Sequence, residues 1–123
     1  MADIDVEFVT VERRFWSGTA SMVVAKTTEG EIGIQAGHEP LLGELDEGGT
    51  VTVYTDEGKK VAAVRGGFLS VTATKVSILG ELAEWAENID RAEAERSLAD
   101  AGEDPTAAAA ARGRLRAVEK AGA

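Results

Sequence analysis

The 123-residue chain contains no cysteine, a single histidine, two prolines and only six aromatic side chains. The missing thiols exclude disulfides, thiolate nucleophiles and Cys-ligated metals, and they fit a reducing compartment. One imidazole with no thiolate beside it cannot assemble the ligand sets that zinc and similar ions take, so no metal site is expected. Long apolar runs are also absent, and no window approaches the roughly 20 residues needed to cross a bilayer. Basic residues are the minority, 13 Lys and Arg against 22 Asp and Glu, for a formal net charge of −9. Binding to a phosphate backbone needs clustered Lys and Arg, so nucleic acid is not an expected partner. The opening MADIDVEFVTVERR sets acids ahead of any base and alternates apolar with polar residues, the pattern of neither a signal nor a transit peptide. A cytoplasmic location is expected.

What is present suits one core with a small appended module. The composition, 44% hydrophobic and 28% charged, is that of a globular protein. Charge is unevenly distributed. Residues 1–88 carry 15 acids and 7 bases, residues 89–104 carry 6 and 2, and residues 105–123 carry 1 and 4, giving −8, −4 and +3. Val, Thr, Ile and Gly dominate up to about Leu82, and Ala, Glu and Arg beyond it. The boundary falls near Asn88, which divides the chain into a domain over 1–86 and a second over 87–123.

In the first domain the apolar period is two. Ile4, Val6 and Phe8 alternate with acids, Val51 and Val53 with Thr50, Thr52 and Tyr54, and Phe68 with Leu69 and Val71 across Ser70 and Thr72. Turn signals at Ser17-Gly18, Glu29-Gly30, Gly48-Gly49, Asp56-Glu57-Gly58 and Gly66-Gly67 recur about every ten residues. The expected fold is an antiparallel β-sandwich of about ten strands. The second domain reads as an α-helical hairpin. IDRAEAERSLADA, residues 89–101, forms one helix with an Arg91–Glu95 pair, Gly102 ends it, and Asp104-Pro105 caps and starts another. Ala108, Ala111, Leu115 and Val118 give the second helix a thin apolar stripe beside Arg112, Arg114, Arg116 and Lys120. So little apolar anchoring predicts a hairpin that needs a partner surface and can exchange one for another.

The chain's histidine lies in EGEIGIQAGHEPLL, residues 29–42. None of Ser17, Ser21, Ser70, Ser77 and Ser97 sits in a nucleophile-elbow sequence, and the glycines match no phosphate-binding pattern. The stretch reads instead as a structural loop, in which Gly37 supplies the corner, Pro40 fixes the exit and His38 hydrogen-bonds locally as a neutral imidazole. No catalytic residue is expected in the chain.

The same stretch resembles a signature of the epsilon subunit of F-type ATP synthases, Glu-Gly-(Glu/Asp)-(Ile/Leu)-Gly-Ile-Leu-Pro-Gly-His-(Ala/Glu)-Pro-Leu-Leu. FVTVERRFWSG at 8–18 and GGFLSVTATKVSILGELAEWAENID at 66–90 are similar to two further segments of that family, in order. Gln35-Ala36 stands where the family usually has Leu-Pro, which removes stiffness from the turn. The resemblance implies a non-catalytic rotor subunit of the proton-translocating enzyme, in the central stalk, peripheral on the cytoplasmic face of the cell membrane. Its sandwich would link the gamma subunit to the c-ring of the membrane sector. Its hairpin would restrain ATP hydrolysis by reaching the catalytic alpha and beta subunits through Arg112, Arg114 and Arg116. By the same analogy Glu31, Ile32 and Gly33 lie in a loop facing the c-ring, and Phe15, Trp16 and Trp85 are candidate gamma contacts or, equally, core. Some family members bind ATP through Ile/Leu-Asp-x-x-Arg-Ala; here Ile89, Asp90 and Ala94 match, but Glu93 replaces the Arg. A carboxylate where a guanidinium should meet phosphate reverses the charge, so no cofactor and no tight ATP binding are expected. The alternative reading of the residues is a free-standing β-sandwich binding module, against which the six aromatics, mostly core in pattern, argue.

Overall fold

A computed structural model describes residues 3–122. Ten strands form two five-stranded sheets, and two helices follow. The first sheet has the order β2-β1-β9-β8-β5, with β1 Ile4–Thr10, β2 Arg14–Ala20, β5 Leu41–Glu44, β8 Phe68–Val71 and β9 Lys75–Gly80. The second has the order β10-β7-β6-β3-β4, with β3 Met22–Thr27, β4 Gly30–Ile34, β6 Gly49–Thr55, β7 Gly58–Arg65 and β10 Leu82–Trp85. Neighbouring strands are antiparallel except β1 and β9, which run parallel with Val6 opposite Val76 and Phe8 opposite Ile78. Because a parallel pair needs a long connection, this contact ties the start of the sandwich to its end.

The alternation has the expected cause. Ile4, Val6, Phe8, Leu69, Val71, Val76 and Ile78 project from the first sheet onto Val23, Ala25, Ile34, Val51, Val53, Ala62 and Val64 of the second, all nearly without solvent contact. Among the described residues, every buried side-chain nitrogen or oxygen has a hydrogen-bond partner. The two sheets thus close over one apolar core.

A 3-10 turn at Ala86–Asn88 leads to α1, Arg91–Asp100, and α2, Pro105–Gly122. The Asp90 carboxylate accepts from the Glu93 amide at 3.2 Å and so caps α1. The Asp104 carboxylate accepts from the amides of Thr106 and Ala107, with Pro105 in the first helical position, where a missing N–H costs nothing. Between the helices Gly102 takes φ +56°, a left-handed turn that glycine adopts without strain. The Arg91–Glu95 pair forms, at 3.5 Å.

Burial departs from simple alternation in β6 and β7. Thr50 and Thr52, expected to face solvent, are 3% and 4% exposed, and Val61 and Ala63 on the same outer face are buried as well. The cause is α2, which lies on the outside of the second sheet and makes a second apolar cluster of Val61, Ala63, Ala86, Ile89, Ala94 and Ala117.

Candidate functional site

The two sheets present different outer faces. On the second sheet, the hairpin is held by a few polar contacts around its apolar strip. Arg114 donates from Nε to Glu84 of β10 at 2.8 Å and lies 3.6 Å from Glu93 of α1, so one guanidinium joins three elements. Arg116 donates to the carbonyl of Gly48 at 2.9 Å. Lys120 meets the Glu31 carboxylate at 2.5 Å, and Lys59 donates to the Lys120 carbonyl at 2.7 Å. Arg112 points to solvent. The buried stripe of α2 also differs from the expected one. Ala108, Ala111, Gly113 and Ala117 are buried, while Leu115 and Val118 are half-buried at the edge. A helix lying very close to a sheet leaves room only for small side chains at its centre line.

The outer face of the first sheet is uncovered. Register lines up Arg14, Val9, Leu79, Phe68 and Glu44 in one row across all five strands. Phe68 and Leu79, directly opposite each other, are 55% and 51% exposed, and Val11 and Leu42 more so. Phe68, Leu79 and Val11 line a shallow depression rimmed by Glu44, Asp46, Glu47 and Glu81. The result is an apolar patch within an acidic border. Sequence reasoning had not singled out these residues. The only available signal was that Phe68 and Leu79 occupy outward positions of strands whose other outward residues are polar.

The remaining sequence-derived candidates fall into four groups. Phe15, Trp16 and Trp85 come together as one aromatic cluster between the edge strands β2 and β10. Phe15 stacks on Trp85 at 4.6 Å between centroids, Trp16 meets Trp85 edge-on at 6.5 Å, and Phe8 in the core lies 4.8 Å from Phe15. All three are half-buried against the core, and Lys60 and Arg13 lie over the Trp85 and Phe15 rings.

Glu31, Ile32 and Gly33 do not lie in a loop as expected but in the edge strand β4, with Glu31 opposite Lys26 and Gly33 opposite Val24. The Thr27 hydroxyl accepts from the Glu29 amide and donates to the Gly30 carbonyl at 2.7 Å, closing a tight hairpin that leaves Glu31 inside the ladder. Ile32 turns toward the core and Glu31 outward. The Gly37–Pro40 segment is a turn into β5. Gly37 has φ +89° and its amide donates to Ala73, while the His38 ring contacts the Glu39 carbonyl through Nδ1 at 2.7 Å. A carbonyl only accepts, so Nδ1 carries the proton.

Of the nucleotide-motif residues, Ile89 and Ala94 are buried in the second cluster and Asp90 caps α1. Glu93 faces Arg114, and Arg91 is engaged by Glu95 and Glu119.

The model of the ATP synthase delta/epsilon chain β-sandwich domain matches residues 3–86. The chain belongs to this family. Its relatives include the ATP synthase epsilon chain of Rhodococcus opacus (strain B4), 58% identical over 98% of this chain and 100% of the relative. Those of Nocardia farcinica and Corynebacterium diphtheriae are 55% and 51% identical, over 96% and 98% of this chain and 92% and 97% of the relatives. Among solved structures, the fold matches a chain of the Euglena gracilis mitochondrial ATP synthase in an OSCP/F1/c-ring assembly, with TM-score 0.77 and 24% identity over 100% of this chain and 83% of the other. A chain of the Tetrahymena thermophila central stalk and c-ring matches at TM-score 0.58 and 21% identity, over 99% of this chain and 98% of the other. Membership of the epsilon family replaces the reading of a free-standing binding module. Among the described residues no helix is long and apolar enough to cross a membrane.

Proposed function

We propose that this chain is the non-catalytic epsilon subunit of a bacterial proton-translocating ATP synthase, joining gamma to the c-ring at the cytoplasmic face of the membrane and restraining ATP hydrolysis through its hairpin. The observation that carries this reading is the asymmetry of the sandwich. One outer face is occupied by the chain's own hairpin, and the other presents an uncovered apolar row. Exposed apolar patches bordered by polar residues mark protein contacts. The acidic border of Phe68 and Leu79 suits a gamma segment that offers an apolar side chain flanked by Lys or Arg. The aromatic cluster of Phe15, Trp16 and Trp85 fits a supporting role behind that contact, because its rings already pack on one another.

The hairpin fits a mobile restraint. Its outward-facing Arg112, and Arg114 and Arg116 once released, give it +3 in residues 105–123 with which to meet acidic segments of the catalytic alpha and beta subunits. One reconstitution tests both halves. Phe68→Asp with Leu79→Asp should abolish retention on gamma, whereas a chain ending at Asn88 should assemble normally and hydrolyse ATP faster than the full-length complex. Normal assembly of the double variant refutes the gamma face, and hydrolysis unchanged by truncation refutes the restraint.

A further inference from the structure

Two glycines carry an observation that neither backbone conformation nor turn chemistry explains. Gly113 sits inside α2, a position where glycine weakens a helix relative to alanine. Gly48 precedes β6 in the turn after β5. Neither is among the glycines with positive φ, so an alanine is admissible to the backbone at both. What excludes it is the opposite partner. A Cβ on Gly113 would stand 2.8 Å from the carbonyl carbon and oxygen of Gly48 and 2.9 Å from its Cα, and a Cβ on Gly48 would run into the Ala109 carbonyl of α2. Every blocking atom is backbone, so no rotamer relieves the collision. At Gly122 in the same helix, a Cβ would meet nothing. Beside the contact, Arg116, three residues beyond Gly113, donates to the carbonyl of Gly48 itself.

We propose that Gly48 and Gly113 form a steric clasp: α2 docks because the two backbones can touch, and this contact, more than the ion pairs around it, sets the balance between docked and released hairpin. Adding one methyl group on either side holds α2 off the β5–β6 turn and withdraws Ala108, Ala111 and Ala117 from their buried positions. The clasp rests on the hairpin restraint proposed above only for its effect on hydrolysis, and docking is measurable by itself.

The test uses the full chain, which has no cysteine of its own, with a single reporter thiol introduced by Ala117→Cys at a fully buried site of the docked helix. Thiol labelling should accelerate about tenfold or more in Gly113→Ala and in Gly48→Ala, as expected for a shift toward local opening, and stay within about twofold in Gly122→Ala. Helicity by circular dichroism should be equal or higher in Gly113→Ala, because alanine favours the helix; this separates release from unfolding. Tryptic cleavage after Arg112 and Arg114 in chains lacking the reporter checks that the thiol is not itself the cause. Unchanged labelling and cleavage in both clasp variants overturn the proposal. Faster labelling with slower hydrolysis in the reconstituted enzyme supports clasp and restraint together, whereas faster labelling with unchanged hydrolysis keeps the clasp and sinks the restraint.

Discussion

Phe8 and Phe68 show how the same side chain takes opposite roles according to which side of a strand it leaves. Phe8 has no exposed surface and supports Phe15 and Trp85 from below. Phe8→Ala removes a buried ring and leaves a cavity, so it should lower unfolding stability by about 3–5 kcal/mol in urea titration. Phe68 is 55% exposed, and Phe68→Ala should change stability by only about 0.5 kcal/mol. A comparable loss in both would show that Phe68 is a core residue and remove the apolar docking face. His38 belongs to this scale too. Its ring is used on the Glu39 carbonyl, one residue away, which shapes the entry to β5 and leaves the side chain with local work to do.

At the scale of elements, the hairpin is held by small contacts in number. The Arg91–Glu119 and Lys120–Glu31 pairs involve side chains one third or more exposed, and pairs of that kind contribute about 0–1 kcal/mol each, less in salt, while Arg114, only 18% exposed, makes the 2.8 Å contact to Glu84. Alanines bury little area, so the α2 interface gains from closeness more than from apolar bulk. The same packing bears on nucleotide. Arg114 is held by Glu84 and Glu93, and Arg91 by Glu95 and Glu119, so the guanidinium groups that a phosphate would need are already engaged by carboxylates. Calorimetric titration of the isolated chain with ATP should show no binding tighter than about millimolar, near −4 kcal/mol. A micromolar dissociation constant would mean that Arg91 or Arg96 has taken over the phosphate.

For the whole molecule, Glu31 stands where two proposed functions meet. The family resemblance assigns it to the c-ring, and the docked hairpin pairs it with Lys120. Glu31→Lys should weaken, without abolishing, proton-coupled ATP synthesis in reconstituted vesicles, because one exposed pair is worth only about 0–1 kcal/mol. The substitution also sets two cations together at the end of α2, so it belongs in a chain ending at Asn88 as well as in the full one. A defect seen in both chains arises at the ring. A defect confined to the full chain arises from the hairpin, and unchanged coupling in both removes Glu31 from the ring contact.

Local patterns determined much of this protein. Period-two alternation, regularly spaced turns and the caps at Asp90 and Asp104 are short-range properties, so strands such as β1, β6 and β8, the two helices and the Gly102 turn were readable residue by residue. The three ordered motifs likewise identified the family, since motif order is itself a property of the chain. Tertiary structure decided what depends on who lies opposite. Only pairing across the fold put β1 parallel to β9, set Glu31 inside a ladder, and lined up Val9, Leu79 and Phe68 on one face. Only the docked helix buried Thr50 and Thr52, which alone read as outward polar residues. Gly48 and Gly113, separated by most of the second sheet and all of α1, read in sequence as one turn residue and one poor helix former. Their shared reason is a backbone contact, which no periodicity encodes.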